Sequence, residues 1–368
     1  MAVPMIDLRA QYRSIKPEID AAIAEVFETQ GFVGGPKVEQ FEAGIARYLG
    51  VEHAVAVASG TDALLLSLKA AGVKDGDEVI TTTFSFFATA GAIANVGAKP
   101  VFVDIDPATF NIDATQIESR VTGRTRAIVP VHLYGQCADM DPIMAVAAKH
   151  GLRVIEDAAQ SLGARYKGRL GSTLGDAAAI SFYPTKNLGG AGDGGMVVTK
   201  DRELAGAVRL LRAHGGDQSY YHRVVGTNSR LDAIQAAVLH VKLKYLEQWN
   251  ERRRANAAHY DRLLKQMPEV VTPVEAPGNY HVYHQFVIRL PQRDEAKALL
   301  TRKGIGCAVF YPVPLHSQQC FQHLGYGQTD FPRASQACKE VLALPMYVEL
   351  TPDQQGEVVA ALKEHLRG

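Results

Sequence analysis

The chain has 368 residues, 47% of them hydrophobic, which is enough for two domains with a substantial core. Lys plus Arg and Asp plus Glu balance at 39 each, so no overall field draws nucleic acid or an anionic membrane, and an anionic ligand must be held by local groups. The cysteines Cys137, Cys307, Cys320 and Cys338 form no paired motif, and neither the charged start nor any later stretch reads as a signal peptide or membrane span, so a cytoplasmic protein is expected.

Pro17–Thr29 and Pro36–Leu49 read as helices, the second with Val38, Phe41, Ile45 and Leu49 on one face. Short apolar runs then alternate with amphipathic ones. Ala54–Ala58, Glu78–Thr82, Pro100–Asp104, Arg126–Val131 and Leu152–Glu156 read as strands, and Asp62–Ala71, Thr89–Asn95, Asp113–Arg120 and Asp141–His150 as helices. Asp113 and Gln116 have capping-box spacing, and Gly151 stands where a helix-ending glycine belongs. Two more strands, Ala178–Tyr183 and Gly195–Thr199, bracket a glycine-rich turn. Strands buried on both faces and joined by helices make an α/β fold with a mostly parallel sheet.

Leu231–Leu264 reads as one or two long helices leaving this block, and Pro273, Pro277 and Gly278 mark a loop. Beyond it His281–Leu290, Asp294–Lys303, Cys307–Tyr311 and Ala334–Leu342 alternate strand and helix. The expected division is a large domain over 1–250 and a smaller C-terminal α/β domain over 251–368.

In an open parallel sheet, ligands sit beyond the C-terminal strand ends, and four motifs fall at such ends. Ser59-Gly60-Thr61-Asp62 runs from strand into helix, where free N–H groups favour a phosphate. The helix dipole supplies only about 0.3–1 kcal/mol. Taken alone, the motif is an ordinary N-cap. Glu156 and Asp157 close an apolar strand. A buried carboxylate needs a cation, and a protonated pyridine nitrogen is one. Glu156 reads as a structural acid, and Gln160 lies within reach of a ring hydroxyl. Lys186, between Pro184 and the Gly189-Gly190 pair, sits in compact backbone where an amine can attack an aldehyde and then serve as base. Ser181 could add a hydroxyl to the phosphate site. Last, Thr82-Thr83-Phe84-Ser85-Phe86-Phe87 places rings after a strand; Phe84 is the expected stacking partner, Phe86 the next. Together these parts suit pyridoxal 5′-phosphate, with Lys186 as its Schiff-base anchor and Asp157 keeping its ring nitrogen protonated.

Ser59-Gly60-Thr61, Glu156-Asp157-Ala158-Ala159-Gln160, Ser181-Phe182-Tyr183-Pro184-Thr185-Lys186, Gly192-Asp193-Gly194-Gly195 and Asn228-Ser229-Arg230-Leu231-Asp232 occur in that order. In this the chain resembles the DegT/DnrJ/EryC1/StrS family of sugar aminotransferases. The resemblance implies fold type I, the aspartate aminotransferase fold, and a homodimer with its sites at the subunit interface. It implies Lys186 and Asp157 as catalytic residues, Gln160 as ligand of the ring hydroxyl, and Gly60, Thr61 and Ser181 at the phosphate. Asn228 would reach the phosphate from the partner subunit, and Arg230 would help place donor or sugar. The run Leu133-Tyr134-Gly135-Gln136-Cys137-Ala138-Asp139 is similar to the 3-oxo-glucuronate aminotransferase group. The implied reaction moves an amino group from L-glutamate to C3 of a UDP- or dTDP-linked keto sugar, for surface polysaccharide. C4 amination and a non-catalytic, cofactor-binding regulator are the alternatives. Tyr311, Phe86 and His316 complete the candidate substrate contacts; Phe310-Tyr311-Pro312 stands where relatives of that group carry His-Tyr-Pro.

Other signals weigh less. Gly190-x-Gly192-x-x-Gly195 leads into a strand rather than a helix and so lacks the context of a dinucleotide site. Asp104-x-Asp106 has no third ligand, and His281 and His284, three apart in an expected strand, would face opposite sides, so no metal is expected.

Overall fold

The computed structural model describes residues 2–367. Two helices open the chain, α1 (Leu8–Thr29) and α2 (Pro36–Leu49). The central run is β1 (His53–Val57), α3 (Gly60–Ala70), β2 (Glu78–Thr82), α4 (Ala88–Asn95), β3 (Lys99–Val103), β4 (Thr125–Val129), α5 (Met140–His150) and β5 (Arg153–Asp157). A small hairpin of β6 (Arg165–Tyr166) and β7 (Arg169–Leu170) precedes β8 (Ala177–Ser181) and β9 (Gly195–Thr199). Then come α6 (Arg202–Leu211), a second hairpin of β10 (Gly216–Gln218) and β11 (Tyr221–His222), α7 (Ala233–Leu243) and α8 (Leu246–Leu264). The C-terminal part holds β12 (Asn279–Tyr280), β13 (Phe286–Arg289), α9 (Arg293–Arg302), α10 (Pro332–Glu340), β14 (Val341–Leu344) and α11 (Pro352–His365).

The main sheet has seven strands in the order β1-β9-β8-β5-β4-β2-β3, all parallel except β9, which runs back between β1 and β8. Alternation along β1 sends Val55 and Val57 to the face covered by α3 and α6, and Ala54 and Ala56 to the face covered by α2 and α7. Both faces are therefore dry. Burial of side chains such as Phe41, Leu68 and Ile180 contributes about 1.5–3 kcal/mol each. A third core gathers Tyr260, Phe286, Leu342, Leu344 and Leu362 around the pair β13–β14. Helix α8 runs unbroken through residue 250: Leu246 packs in the sheet core, Tyr260 and Leu264 in the C-terminal one.

Several local expectations need correction. Asp113–Arg120 is two short 3-10 turns, because Gln116 bonds the Asp113 carboxylate instead of completing a capping box, and so short a stretch gains few helical bonds. His281–Leu290 is a strand only over Phe286–Arg289. Cys307–Tyr311 makes a single bridge, Ala308 to Ala343, rather than a strand. The helix expected over Ala334–Leu342 stops at Glu340, where Val341 turns extended and pairs into β14. The first helix begins at Leu8, capped by Asp7, and absorbs Pro17 through non-helical backbone at Ile15. Gly151 does end α5, at φ 65°. No helix among the described residues is long and apolar enough to cross a membrane.

Candidate active site

The C-terminal ends of β1, β5 and β8 meet at one sheet edge, and β9 starts there because it runs the other way. At the end of β1, Ser59 caps α3 by accepting from Asp62 N at 3.1 Å, while the first-turn N–H groups of Gly60 and Thr61 have no acceptor inside the helix. A Cβ at Gly60 would stand 2.6 Å from Ser181 Cβ, and one at Gly195 would stand 2.2 Å from Ser59 O. Only glycines let these turns close against each other. The contact brings the Ser181 hydroxyl beside the helix start, forming a small cup of donors.

At the end of β5 adjacent acids face opposite ways. Glu156 is fully buried and accepts from His132 Nε2 at 2.6 Å, from Ser172 N at 3.0 Å, and from Leu174 N and Gly175 N at 2.8 Å. His132 Nδ1 accepts from Ala138 N at 3.1 Å, so the ring hydrogen sits on Nε2, pointed at the acid. Glu156 is thus a structural acid, though its partners are backbone amides and a histidine rather than a helix end or an arginine. Asp157 is also buried but has fewer donors: Thr89 Oγ1 at 2.7 Å and Ala159 N at 3.2 Å. Burial raises its pKa, and those hydrogen bonds and the Lys186 charge only partly oppose the rise. Among the described residues no cationic side chain forms an ion pair with it, and the Lys186 charge acts on it only from a distance.

The lysine turn after β8 is compact. Lys186 N bonds Tyr183 O and Gly190 N bonds Phe182 O, both at 2.8 Å, and a Cβ at Gly189 would stand 2.2 Å from Pro184 O. Lys242 Nζ of α7 holds Gly189 O at 2.7 Å, and Gln235 holds Ala191 N at 2.8 Å. The Lys186 side chain opens onto the cleft while the protein around it strips most of its hydration. Burial lowers its pKa from 10.5 to about 8, and attraction to Asp157 acts weakly the other way.

Gln160 is fixed through both ends of its amide, accepting from Tyr134 N at 2.7 Å and donating to Tyr311 OH at 2.9 Å. Tyr311 therefore stands at the same site, close enough to Asp157 to feel its charge. Phe86 is 57% exposed with its ring centroid 6.4 Å from that of Tyr311.

Two expected contacts are not there. Phe84 is fully buried against Phe110 and Tyr311, with no face open to a ligand, because the chain after β2 turns inward and Thr83 O is held by Leu315 N. Phe86 is the ring presented instead. His316 is sealed in the same loop, its Nδ1 2.6 Å from Thr83 Oγ1 and its ring 4.6 Å from Phe331, so it anchors the loop rather than reaching a substrate. Asn228 and Arg230 are exposed and bonded to each other at 3.0 Å, flanking a buried Ser229 that ties them to Ala58 and Asp62. Asp104 and Asp106 accept backbone N–H groups, at the start of α10 and in a turn respectively. Thr89, Ser85 and Tyr134 escaped sequence reasoning; Thr89 was detectable only as a hydroxyl in an otherwise small, apolar helix.

This arrangement fits pyridoxal phosphate. The cup of Gly60, Thr61 and Ser181 suits its phosphate, the depressed amine of Lys186 its aldehyde, and the cation-poor carboxylate of Asp157 its ring nitrogen. Fold and site together define a fold-type-I aminotransferase. The chain belongs to the DegT/DnrJ/EryC1/StrS aminotransferase family, whose model matches residues 13–363. It is 54% identical to a pleiotropic regulatory protein of Geobacillus stearothermophilus, over 100% of this chain and 99% of that one. It is 46% identical to a UDP-N-acetyl-3-dehydro-alpha-D-glucosamine 3-aminotransferase of Acidithiobacillus ferrooxidans, over 100% and 99% of the two chains. Among solved structures, DesV of S. venezuelae in complex with a ketimine intermediate superposes with TM-score 0.97 at 44% identity, covering 100% of this chain and 99% of that one. NtdA of Bacillus subtilis with bound cofactor PMP superposes with TM-score 0.90 at 32% identity, covering 99% and 83%.

Proposed function

We propose that this aminotransferase moves an amino group from L-glutamate to the C3 keto carbon of a UDP- or dTDP-linked sugar, supplying amino sugars for surface polysaccharide. The Acidithiobacillus ferrooxidans relative, named for action at a 3-dehydro position, supports the choice of C3. The carrying observation is one depressed amine, Lys186, beside one buried carboxylate short of cations, Asp157.

When bound, pyridoxal phosphate supplies a protonated ring that takes up the electron pair left by proton removal at the carbon bearing nitrogen. Asp157 holds the positive charge on the ring nitrogen, and Thr89 with Ala159 N orients its carboxylate. Lys186 provides the covalent anchor and, when free, a neutral amine that takes and returns that proton. Gly60, Thr61 and Ser181 hold the phosphate. Gln160, set by Tyr134 and Tyr311, orients its amide toward the ring hydroxyl. Phe86, exposed beside Tyr311, would pack against the cofactor ring. Asn228 and Arg230, exposed in the single chain, serve the site of a second subunit, so the working form is a homodimer.

Borohydride reduction of the cofactor-loaded protein followed by peptide mapping should find the label on Lys186, and Lys186→Ala should lose amino exchange with glutamate. Label elsewhere, or exchange retained by the variant, overturns the assignment. The regulatory name of the Geobacillus stearothermophilus relative favours a second reading, a cofactor-binding regulator without turnover. A glutamate-dependent change in the bound cofactor's absorbance decides against it; a cofactor that binds but never responds to any amino donor decides for it.

A further inference from the structure

The glycine run that follows Lys186 cannot anchor itself. Gly189, Gly190 and Gly192 carry no side chains, and such backbone has the most conformational freedom to lose. Yet the turn that presents the amine closes through this run. Gly190 N bonds Phe182 O at 2.8 Å, and Gly189 lies so near Pro184 O that a Cβ there would meet it at 2.2 Å. Whatever holds the run in place must come from outside it.

That support is α7. Gln235 and Lys242 stand about two turns apart, hence on one face of the helix, and both reach the run. Gln235 Oε1 accepts from Ala191 N at 2.8 Å, and the same amide would meet a Cβ on Gly190 at 2.8 Å or on Gly192 at 2.9 Å. Lys242 Nζ donates to Gly189 O at 2.7 Å and to Gln11 Oε1 at 3.1 Å. Gln11 is a buried side chain of α1, which packs on α7 through Ile15, Ile19, Val238 and Val241. Among the described residues no acid pairs with Lys242, and burial lowers its pKa to about 8. A charge drawn from water and answered only by neutral oxygens is costly, so it is poor material for stability alone. An ammonium does offer several donors on one atom, and charge-assisted bonds that an uncharged side chain could not make.

We infer that Lys242 is a positioning residue for Lys186: braced by Gln11 of α1, it pins Gly189 O and so fixes the turn from which the Lys186 amine reaches the cofactor's aldehyde. Asn187, next to Lys186, is fastened separately, its Nδ2 donating to Asn250 Oδ1 of α8 at 2.7 Å. Losing the Lys242 contact should therefore loosen the turn without unfolding it. This role rests on the reading of Lys186 as the reactive amine.

The test compares cofactor-free, full-length wild type, Lys242→Met and Gln11→Leu. Pyridoxal phosphate condenses with the Lys186 amine and releases water, which changes its absorbance. Pyridoxamine phosphate has no aldehyde and depends on the noncovalent contacts alone. A looser turn slows the first and spares the second. In Lys242→Met the rate of condensation should fall about 10- to 100-fold, the scale of a reacting group held about 1 Å from its place. The Kd for pyridoxamine phosphate should stay at its wild-type value. An unchanged condensation rate overturns the inference, and so do equal losses with both forms of the cofactor, which a merely structural role would produce. If Lys242→Met does not fold, Gln11→Leu decides. It keeps the ammonium but removes its brace, and should slow condensation less but with the same selectivity; a wild-type rate there overturns the inference. Borohydride mapping on the wild type separates this failure from that of the parent reading, because a label missing from Lys186 refutes the anchor itself.

Discussion

Replacing Asp157 with asparagine separates the chemistry of the acid from its place in the fold. An asparagine can keep both local contacts: its oxygen accepts from Ala159 N, and its amide hydrogen points to Thr89 Oγ1. The Thr89 hydroxyl then turns its own hydrogen to Ser85 Oγ, 3.0 Å away. Thermal stability should therefore change by about 1 kcal/mol or less, the scale of one rearranged neutral hydrogen bond. The charge, by contrast, is lost outright. A carboxylate at contact distance shifts a partner's pKa by about 1–3 pH units, so the ring nitrogen should lose its proton and the glutamate half-reaction should slow by about 10- to 1000-fold. Lys186 should respond in the opposite sense. Asp157 raises its pKa, so removing the carboxylate lowers it below about 8 and leaves more neutral amine at a given pH. The variant should thus label faster at Lys186 while turning over more slowly. Stopped-flow absorbance with glutamate, a thermal melt, and pH-dependent acylation of Lys186 read the three quantities. An unchanged half-reaction in a folded variant, or a Lys186 midpoint that moves up, refutes the assignment.

Other outcomes follow from the same geometry. Gly195→Ala pushes a methyl into Ser59 O, so it should cost about 1–3 kcal/mol and weaken cofactor binding together, as read by melting and by pyridoxal phosphate titration. A variant with wild-type affinity would show that the cup does not depend on this contact. Phe84→Ala should lose about 3–5 kcal/mol of stability as a core deletion, whereas Phe86→Ala should melt near wild type but release cofactor more readily. The reverse pattern would restore Phe84 to the cleft. His316→Ala should lower stability without raising KM for the sugar beyond the change in folded fraction. In wild type, the rate of donor half-reaction should climb as pH rises toward about 8, because that is where the Lys186 amine sheds its proton. A rate flat over that interval contradicts a free lysine base.

Much of the fold is legible because buried parallel strands carry unbroken apolar runs: Glu78–Thr82 and Gly195–Thr199 are found where expected, and the other main-sheet strands within a residue or two. Lys186, Asp157 and the Ser59-Gly60 turn are legible too, since strand ends announce themselves by an abrupt change to polar residues. Where the chain leaves regular structure, that logic stops. Phe84 and Phe86 are both aromatic and two apart. The contacts of Thr83 with Leu315 N and His316 Nδ1, across more than 230 residues, decide which ring is buried. His316 and Thr89 are long-range in the same way, and Asn228 with Arg230 lie exposed and bonded to each other, away from the contacts that assemble the cleft within one chain. The stretch Asp113–Arg120 misled for a local reason, a side chain that satisfied its neighbour instead of the backbone.

The two acids that end β5 also carry a lesson about tolerance to change. Because successive side chains on a strand alternate sides, Glu156 serves as a rivet to the loop at Ser172–Gly175, while its neighbour faces the cleft. Losing or gaining one residue upstream in β5 would exchange the two, sending a longer acid toward the cofactor and a shorter one to a socket with four donors. Point changes here should be separable into those that loosen the frame and those that silence the chemistry, whereas a single-residue insertion or deletion should do both at once.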